Sequence, residues 1–149
     1  MSKAVAFGGV RLSLPPGWED TTKDVESREK PFTLTKSDGV GALQFTIALY
    51  RRGPKPDLSS ATLLNMAEEF GEKHSLGAPT DQVTEDGSLA IAAVSYRNGG
   101  DFIRVWYVSD GWSVTTITYV SADGVEHLEV DECEDIVRSI RFEDSRVRE

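Results

Sequence analysis

The chain predicts an α+β fold, an antiparallel β-sheet with helices packed on its faces in an α/β/α sandwich. Three observations carry this. Apolar residues alternate with polar ones in several short runs, and the glycine turns Asp86-Gly87, Asn98-Gly99-Gly100 and Asp110-Gly111 separate the later runs at regular spacing. Two other segments, near residues 59–74 and toward the C-terminal end, repeat their apolar residues at helical spacing. Residues 102–108 are apolar in both alternation classes. Ile103, Val105 and Tyr107 point one way and Phe102, Trp106 and Val108 the other, as in a central strand covered on both sides.

Each element follows from its own residues. Val5, Phe7, Val10, Leu12 and Leu14 alternate with small or polar residues, Gly8-Gly9 interrupts them as a bulge or tight bend, and Pro15-Pro16-Gly17 ends the strand. Residues 19–30 are mostly charged and read as a solvated loop. Phe32 and Leu34, the Ser37-Asp38-Gly39 turn and the alternation of Leu43, Phe45, Ile47 and Leu49 predict a hairpin over 32–51. Pro54 and Pro56 cannot donate ladder hydrogen bonds and stop the sheet. Ser59 or Ser60 caps a helix that turns Leu63, Met66, Ala67 and Phe70 inward and keeps Glu68, Glu69, Glu72 and Lys73 wet. An antiparallel meander follows, with an edge segment at 82–85 and strands over 89–97, 102–108 and 112–120. The last helix places Cys133, Ile136, Val137 and Ile140 on one side and finishes in Phe142, before a frayed tail from Ser145 to Glu149. The order is β-β-β-β-α-β-β-β-β-α in one domain spanning 1–149, with one helix on each side of the sheet.

Composition narrows the function classes. A chain of 149 residues, 39% hydrophobic and 28% charged, is long enough to bury one core without staples. Its net charge of -9, from 25 acidic and 16 basic residues, lacks the basic face a nucleic-acid binder needs and suits a basic partner. A single cysteine, Cys133, permits no internal disulfide and no zinc cluster, and its apolar helix face makes it a buried structural thiol. The start Met1-Ser2-Lys3-Ala4 has no apolar run of a signal peptide, and no stretch approaches the roughly 20 apolar residues of a membrane span. The expected location is cytoplasmic, with no membrane insertion.

No catalytic, cofactor-binding or metal-ligating residue is expected. His74 and His127 have no nucleophile pattern beside them, and adjacent carboxylates such as Glu85-Asp86 do not converge on one atom. Gly8-Gly9 lacks the spacing of a phosphate cradle, and Asp38, Asp86, Asp110 and Asp123 precede glycine as turn formers. The acidic run Glu126, Glu129, Asp131, Glu132, Glu134 and Asp135 reads first as a solvated helix face and second as a surface that steers a basic partner. Trp18 and Trp106 read as core, and Trp112, beside its turn, as partly exposed. The partner-binding set is therefore Asp110, Trp112, Glu126, Glu129, Asp131, Glu132 and Asp135.

Leu12-Ser13-Leu14-Pro15-Pro16-Gly17-Trp18 resembles the opening strand, proline and Gly-Trp of the PsbP-like superfamily, which includes PsbP, the Ran-binding Mog proteins and bacterial DcrB-like proteins. Ile136-Val137-Arg138-Ser139-Ile140-Arg141-Phe142 is similar to that group's closing helix, and the element order also matches. The resemblance implies an α/β/α sandwich and a binding or assembly role without catalytic residues. The leading functional expectation is a non-enzymatic protein-binding protein, most concretely an immunity protein that neutralises a secreted bacterial toxin. The alternatives are a type VI secretion effector chaperone, which needs an apolar groove, and a small enzyme using dispersed carboxylates, which needs a concave pocket with perturbed acids.

Overall fold

A computed structural model describes residues 3–25, 31–49 and 57–143. Among the described residues, ten strands and two helices follow in the order β1 (Lys3–Phe7), β2 (Val10–Leu14), β3 (Trp18–Asp20), β4 (Phe32–Lys36), β5 (Gly41–Leu49), α1 (Ser60–Lys73), β6 (Thr80–Glu85), β7 (Ala90–Asn98), β8 (Asp101–Ser109), β9 (Ser113–Ala122), α2 (Val130–Arg138) and β10 (Arg141–Phe142). Short 3-10 turns lie at Thr22–Asp24 and Glu126–Leu128. The α+β class with helices on antiparallel sheet is as the sequence predicts. The end of the expected hairpin at 50–51, the sheet stop at Pro54 and Pro56, residues 26–30 of the charged loop and the tail at 145–149 lie outside the described residues.

The strands form two sheets where one was expected. The larger has the order β3-β4-β5-β9-β8-β7-β6, and a smaller one has the order β1-β2-β10. Gly8-Gly9 is the tight bend and not a bulge: both glycines hold positive φ, 48° and 85°, and the hairpin closes with Phe7 opposite Val10. Pro15-Pro16-Gly17 then lifts the chain out of the small sheet into the large one. Gly17 at φ 92° makes that corner, and Trp18–Asp20 pairs with β4 where a loop was expected. The β4–β5 hairpin and the β6–β9 meander form as predicted, with β6 on the edge.

The closing helix is shorter than expected. It stops at Arg138, because the Ser139 hydroxyl donates to the Ile136 carbonyl at 2.6 Å and accepts from the Ser13 N–H at 2.9 Å. The chain then extends, so Arg141 and Phe142 pair with Arg11 and Val10 of β2. Phe142 ends a strand, not a helix.

The large sheet separates two cores. On one face α1 lays Leu63 and Ala67 on Ala92, Val94, Tyr96, Val105 and Val114. Ser59 caps α1 by accepting from the Thr62 N–H at 3.3 Å. On the other face Cys133, Ile136, Val137 and Ile140 pack with Trp106, Ile117, Tyr119, Trp18 and the inward side chains of β2. The small sheet and α2 together form that second cover. Trp18 and Trp106 are both buried, as predicted, but they differ: Trp106 Nε1 donates to Glu134 at 3.0 Å, whereas Trp18 Nε1 has no acceptor among the described residues. Such a buried, unpaired donor costs about 1–3 kcal/mol, which burial of the indole ring offsets.

Candidate functional site

The residues that carry chemistry gather where α2 crosses the second face of the large sheet. Arg104 is the centre. It occupies an inward position of β8 between Phe102 and Trp106 and is only 7% exposed. Burying a guanidinium requires partners on every side. Nε donates to Glu134 Oε2 at 2.7 Å, Nη1 donates to Ser95 Oγ at 2.7 Å and to the Asp81 carbonyl at 3.2 Å, and the group lies 5.6 Å from the Trp106 ring centre. Nη2 has no partner among the described residues. Glu134 also accepts from Arg138, which reaches on to Glu85. Burial alone would raise the Glu134 pKa, but the Arg104 charge and the donors on Trp106 and Arg138 hold it below the usual carboxylate value.

Glu129 sits deeper still. It is 3% exposed, so the reading of this residue as part of a solvated, partner-facing surface is corrected. Its Oε1 accepts from the Tyr119 hydroxyl at 2.9 Å and the Gly41 N–H at 3.1 Å, and Oε2 accepts from the Val40 N–H at 3.0 Å. Gly39 and Gly41 make the approach possible. A Cβ on Gly39 would overlap Oε2, and one on Gly41 would overlap the Tyr119 ring. Residues read as a simple turn are therefore the cradle of a buried carboxylate. Burial, then the Glu129 hydrogen bond, pushes the Tyr119 phenol well above its usual pKa.

The other sequence-predicted residues separate into two places. Glu132 pairs with Lys36 at 2.5 Å, and Glu126 pairs with Arg97, which also binds Asp123. Asp131 and Asp135 are exposed, and their carboxylates make no hydrogen bond or ion pair to a described residue. Asp110 and Trp112 lie elsewhere. Asp110 accepts from the Trp112 N–H at 2.9 Å and the Ser113 N–H at 2.8 Å and so fixes the β8–β9 turn. That turn follows the Ser109–Val114 pair, eight residues along β8 from the Asp101–Ala122 pair beside Glu126. At about 3.3 Å per residue the two places stand roughly 26 Å apart. Trp112 is half-buried, as expected.

Two features were not seen in the sequence. The first is apolar. Val40, Val120 and Leu128 are the exposed large hydrophobic residues among those described, at 37%, 40% and 56%. Val40 and Leu128 come together, because the Val40 N–H is bonded to Glu129, next to Leu128, whereas Val120, cross-strand from Ile103, belongs to the α1 face of the large sheet. The signal for Leu128 was its position out of phase with the inward stripe of α2. The second is a cleft of about 320 Å³ between α2 and β6–β8, floored by Phe102 and Val130 and including Asp81, Ser95, Arg104 and Asp131. A charged residue at an inward strand position, Arg104, was the signal for it. Among the described residues no group of histidine, cysteine and carboxylates could hold a metal ion, and no helix is long and apolar enough to cross a membrane.

No protein-family model and no curated protein matches this sequence. Solved structures do match. Cyanobacterial PsbP (CyanoP) from Synechocystis sp. PCC 6803 superposes with a TM-score of 0.65 at 9% identity, covering 95% of this chain and 92% of that one. LpqN of Mycobacterium tuberculosis, described as involved in cell envelope biogenesis, gives a TM-score of 0.60 at 15% identity, with 96% and 91% covered. A Bacteroides thetaiotaomicron VPI-5482 protein gives 0.55 at 12%, with 92% of this chain and 46% of that one covered. Together with the two-helix, antiparallel architecture, these matches show that the chain has the PsbP-like fold.

Proposed function

We propose that this chain is a non-enzymatic protein-binding domain that takes a partner with a basic surface at the end of the molecule carrying Leu128. One observation carries the reading: Leu128, the most exposed large apolar residue among those described, stands within the acidic segment that begins at Asp123, and Glu129 holds Val40 next to it. An apolar centre with a charged rim is the anatomy of a specific interface, in which the centre supplies affinity and the rim steers approach. Of the seven carboxylates between residues 123 and 135 Glu129 is buried, and of the other six the Asp131 and Asp135 carboxylates meet no cation among the described residues, so the rim keeps a negative excess. In its most concrete form the partner is a secreted bacterial toxin whose basic cleft the domain covers, which makes the domain an immunity protein. The low pKa of Glu134 supports a structural role over an acid–base one, since a carboxylate held between two guanidinium groups is a poor proton donor.

The test is affinity capture with the wild type and Leu128→Asp, followed by titration of each captured protein in purified form. A partner that binds the wild type, weakens at least about tenfold with Leu128→Asp and weakens further as salt rises supports the reading. A partner indifferent to Leu128→Asp and to salt overturns it. For the immunity form, co-expression must protect a host cell from a captured partner that is toxic to it, and survival unchanged by Leu128→Asp overturns that form.

A further inference from the structure

The cleft between α2 and β6–β8 presents two kinds of unmet hydrogen-bonding capacity. Inside it are donors. Ser95 is 2% exposed and its Oγ accepts from Arg104, so its own hydroxyl hydrogen is unspent, and Arg104 Nη2 is likewise without an acceptor among the described residues. The Ser95 hydroxyl hydrogen and the solvent-facing Arg104 Nη2 are thus both able to donate to an oxygen of a ligand in the cleft. At the exposed rim are acceptors. The carboxylates of Asp81 and Asp131 belong to the cleft and have no partner among the described residues, whereas the arginines there are matched, Arg104 by Glu134 and Arg97 by Glu126 and Asp123. Two unmatched carboxylates call for a cation. The apolar floor of Phe102 and Val130 lies in the same cleft, and its volume of about 320 Å³ falls at the small end of ligand pockets, roughly 300–1,000 Å³.

We propose that this cleft holds one arginine or lysine residue of the partner in an extended peptide segment. Its main-chain carbonyl accepts from Ser95 Oγ and Arg104 Nη2, its methylene stem lies on Phe102 and Val130, and its cationic head meets Asp81 and Asp131. One basic residue supplies an acceptor, an apolar stem and a positive charge together. The proposal rests on the protein-binding reading above and gives that partner its chemistry. Glu126 and Asp123, near Leu128 in sequence, also bind Arg97 at the cleft, so a segment anchored here continues onto the apolar patch.

The probe is a capped Gly-Gly-Arg-Gly-Gly peptide, titrated into the ¹⁵N-labelled protein beside the same peptide carrying citrulline, the neutral isostere. The arginine peptide is expected to shift the amides of Ser95, Phe102, Arg104 and Asp131 saturably, and the citrulline peptide to bind at least about tenfold more weakly. The double variant Asp81→Asn, Asp131→Asn is expected to remove that preference while leaving the rest of the spectrum in place. Asparagine tolerates the positive φ of 51° at position 81, so the fold is retained. Ser95→Ala weakens both peptides alike, because it removes a donor to the carbonyl. Equal binding of the two peptides, shifts confined to another surface, no saturable shift, or an unchanged preference in the double variant overturns the proposal. The two readings fail separately: loss of partner binding in Leu128→Asp with no peptide in the cleft keeps the interface and rejects the cleft, and the reverse keeps the cleft and rejects the patch.

Discussion

The Tyr119 hydroxyl donates to Oε1 of Glu129 at 2.9 Å, joining the middle of the large sheet to the residue that leads into α2. The same carboxylate accepts two backbone N–H groups from the β4–β5 turn. One buried side chain thus ties three elements that are distant in sequence. Its removal strands a phenol and two amides. Glu129→Ala is expected to cost about 2–4 kcal/mol and Tyr119→Phe about 1–1.5 kcal/mol, read from urea midpoints at constant slope. A Glu129→Ala cost within about 0.5 kcal/mol of zero, the range of an ordinary surface change, contradicts this role.

Glu134 links stability to pH. Its folded pKa lies below the usual carboxylate value despite burial, because of Arg104 first and then Trp106 and Arg138. The unfolded chain therefore takes up this proton at a higher pH than the folded chain. The stabilisation is complete above the ordinary glutamate pKa of about 4.3 and is lost as pH falls through the lower folded value. Glu134→Gln leaves Arg104 buried without a counter-charge and should cost about 2–3 kcal/mol at pH 7. The gap between variant and wild type should narrow in urea titrations carried down to about pH 3. A gap that stays constant with pH refutes the linkage.

Gly71 stands in the last part of α1, where alanine ordinarily favours the helix by about 1 kcal/mol. Here a Cβ would overlap the Tyr96 hydroxyl and ring, while that hydroxyl donates to the Ala67 carbonyl at 3.2 Å. Gly71→Ala is therefore expected to destabilise by about 1–2 kcal/mol net, as overpacking does. Adding Tyr96→Phe should recover part of the loss, because it removes the hydroxyl, one of the atoms struck, and frees the ring from its bond to Ala67. Thermal midpoints of the four proteins in this double-mutant cycle measure the coupling, and simple additivity of the two changes argues against the clash.

Cys133 is fully buried, and burial, with Glu129, Glu134 and Glu132 nearby, drives its thiol pKa up. The native protein should not react with a disulfide reagent at neutral pH, and labelling should appear in urea over the same range as the loss of tryptophan fluorescence. Rapid labelling without denaturant contradicts the packing of α2.

The sequence by itself determined the elements and their faces, apart from the short strands Trp18–Asp20 and Arg141–Phe142. Alternation in 102–108 and the stripe Cys133, Ile136, Val137 and Ile140 assigned inward residues that are buried in the structure, Ile103 and Tyr107 being half-buried, because the periods of strand and helix are local properties of the backbone. The division into two sheets was not legible, since it depends on Pro15-Pro16-Gly17 redirecting the chain and on Arg141-Phe142 finding β2, a pairing about 130 residues distant in sequence. The acidic run shows the same limit at the site. Glu126, Glu129, Asp131, Glu132, Glu134 and Asp135 look alike in sequence, but tertiary packing buried Glu129 against two glycines, placed Glu134 on Arg104, paired Glu126 and Glu132 with cations and left Asp131 and Asp135 exposed. What a carboxylate does is set by the charges and donors that distant segments bring to it, and those meet only in the folded chain.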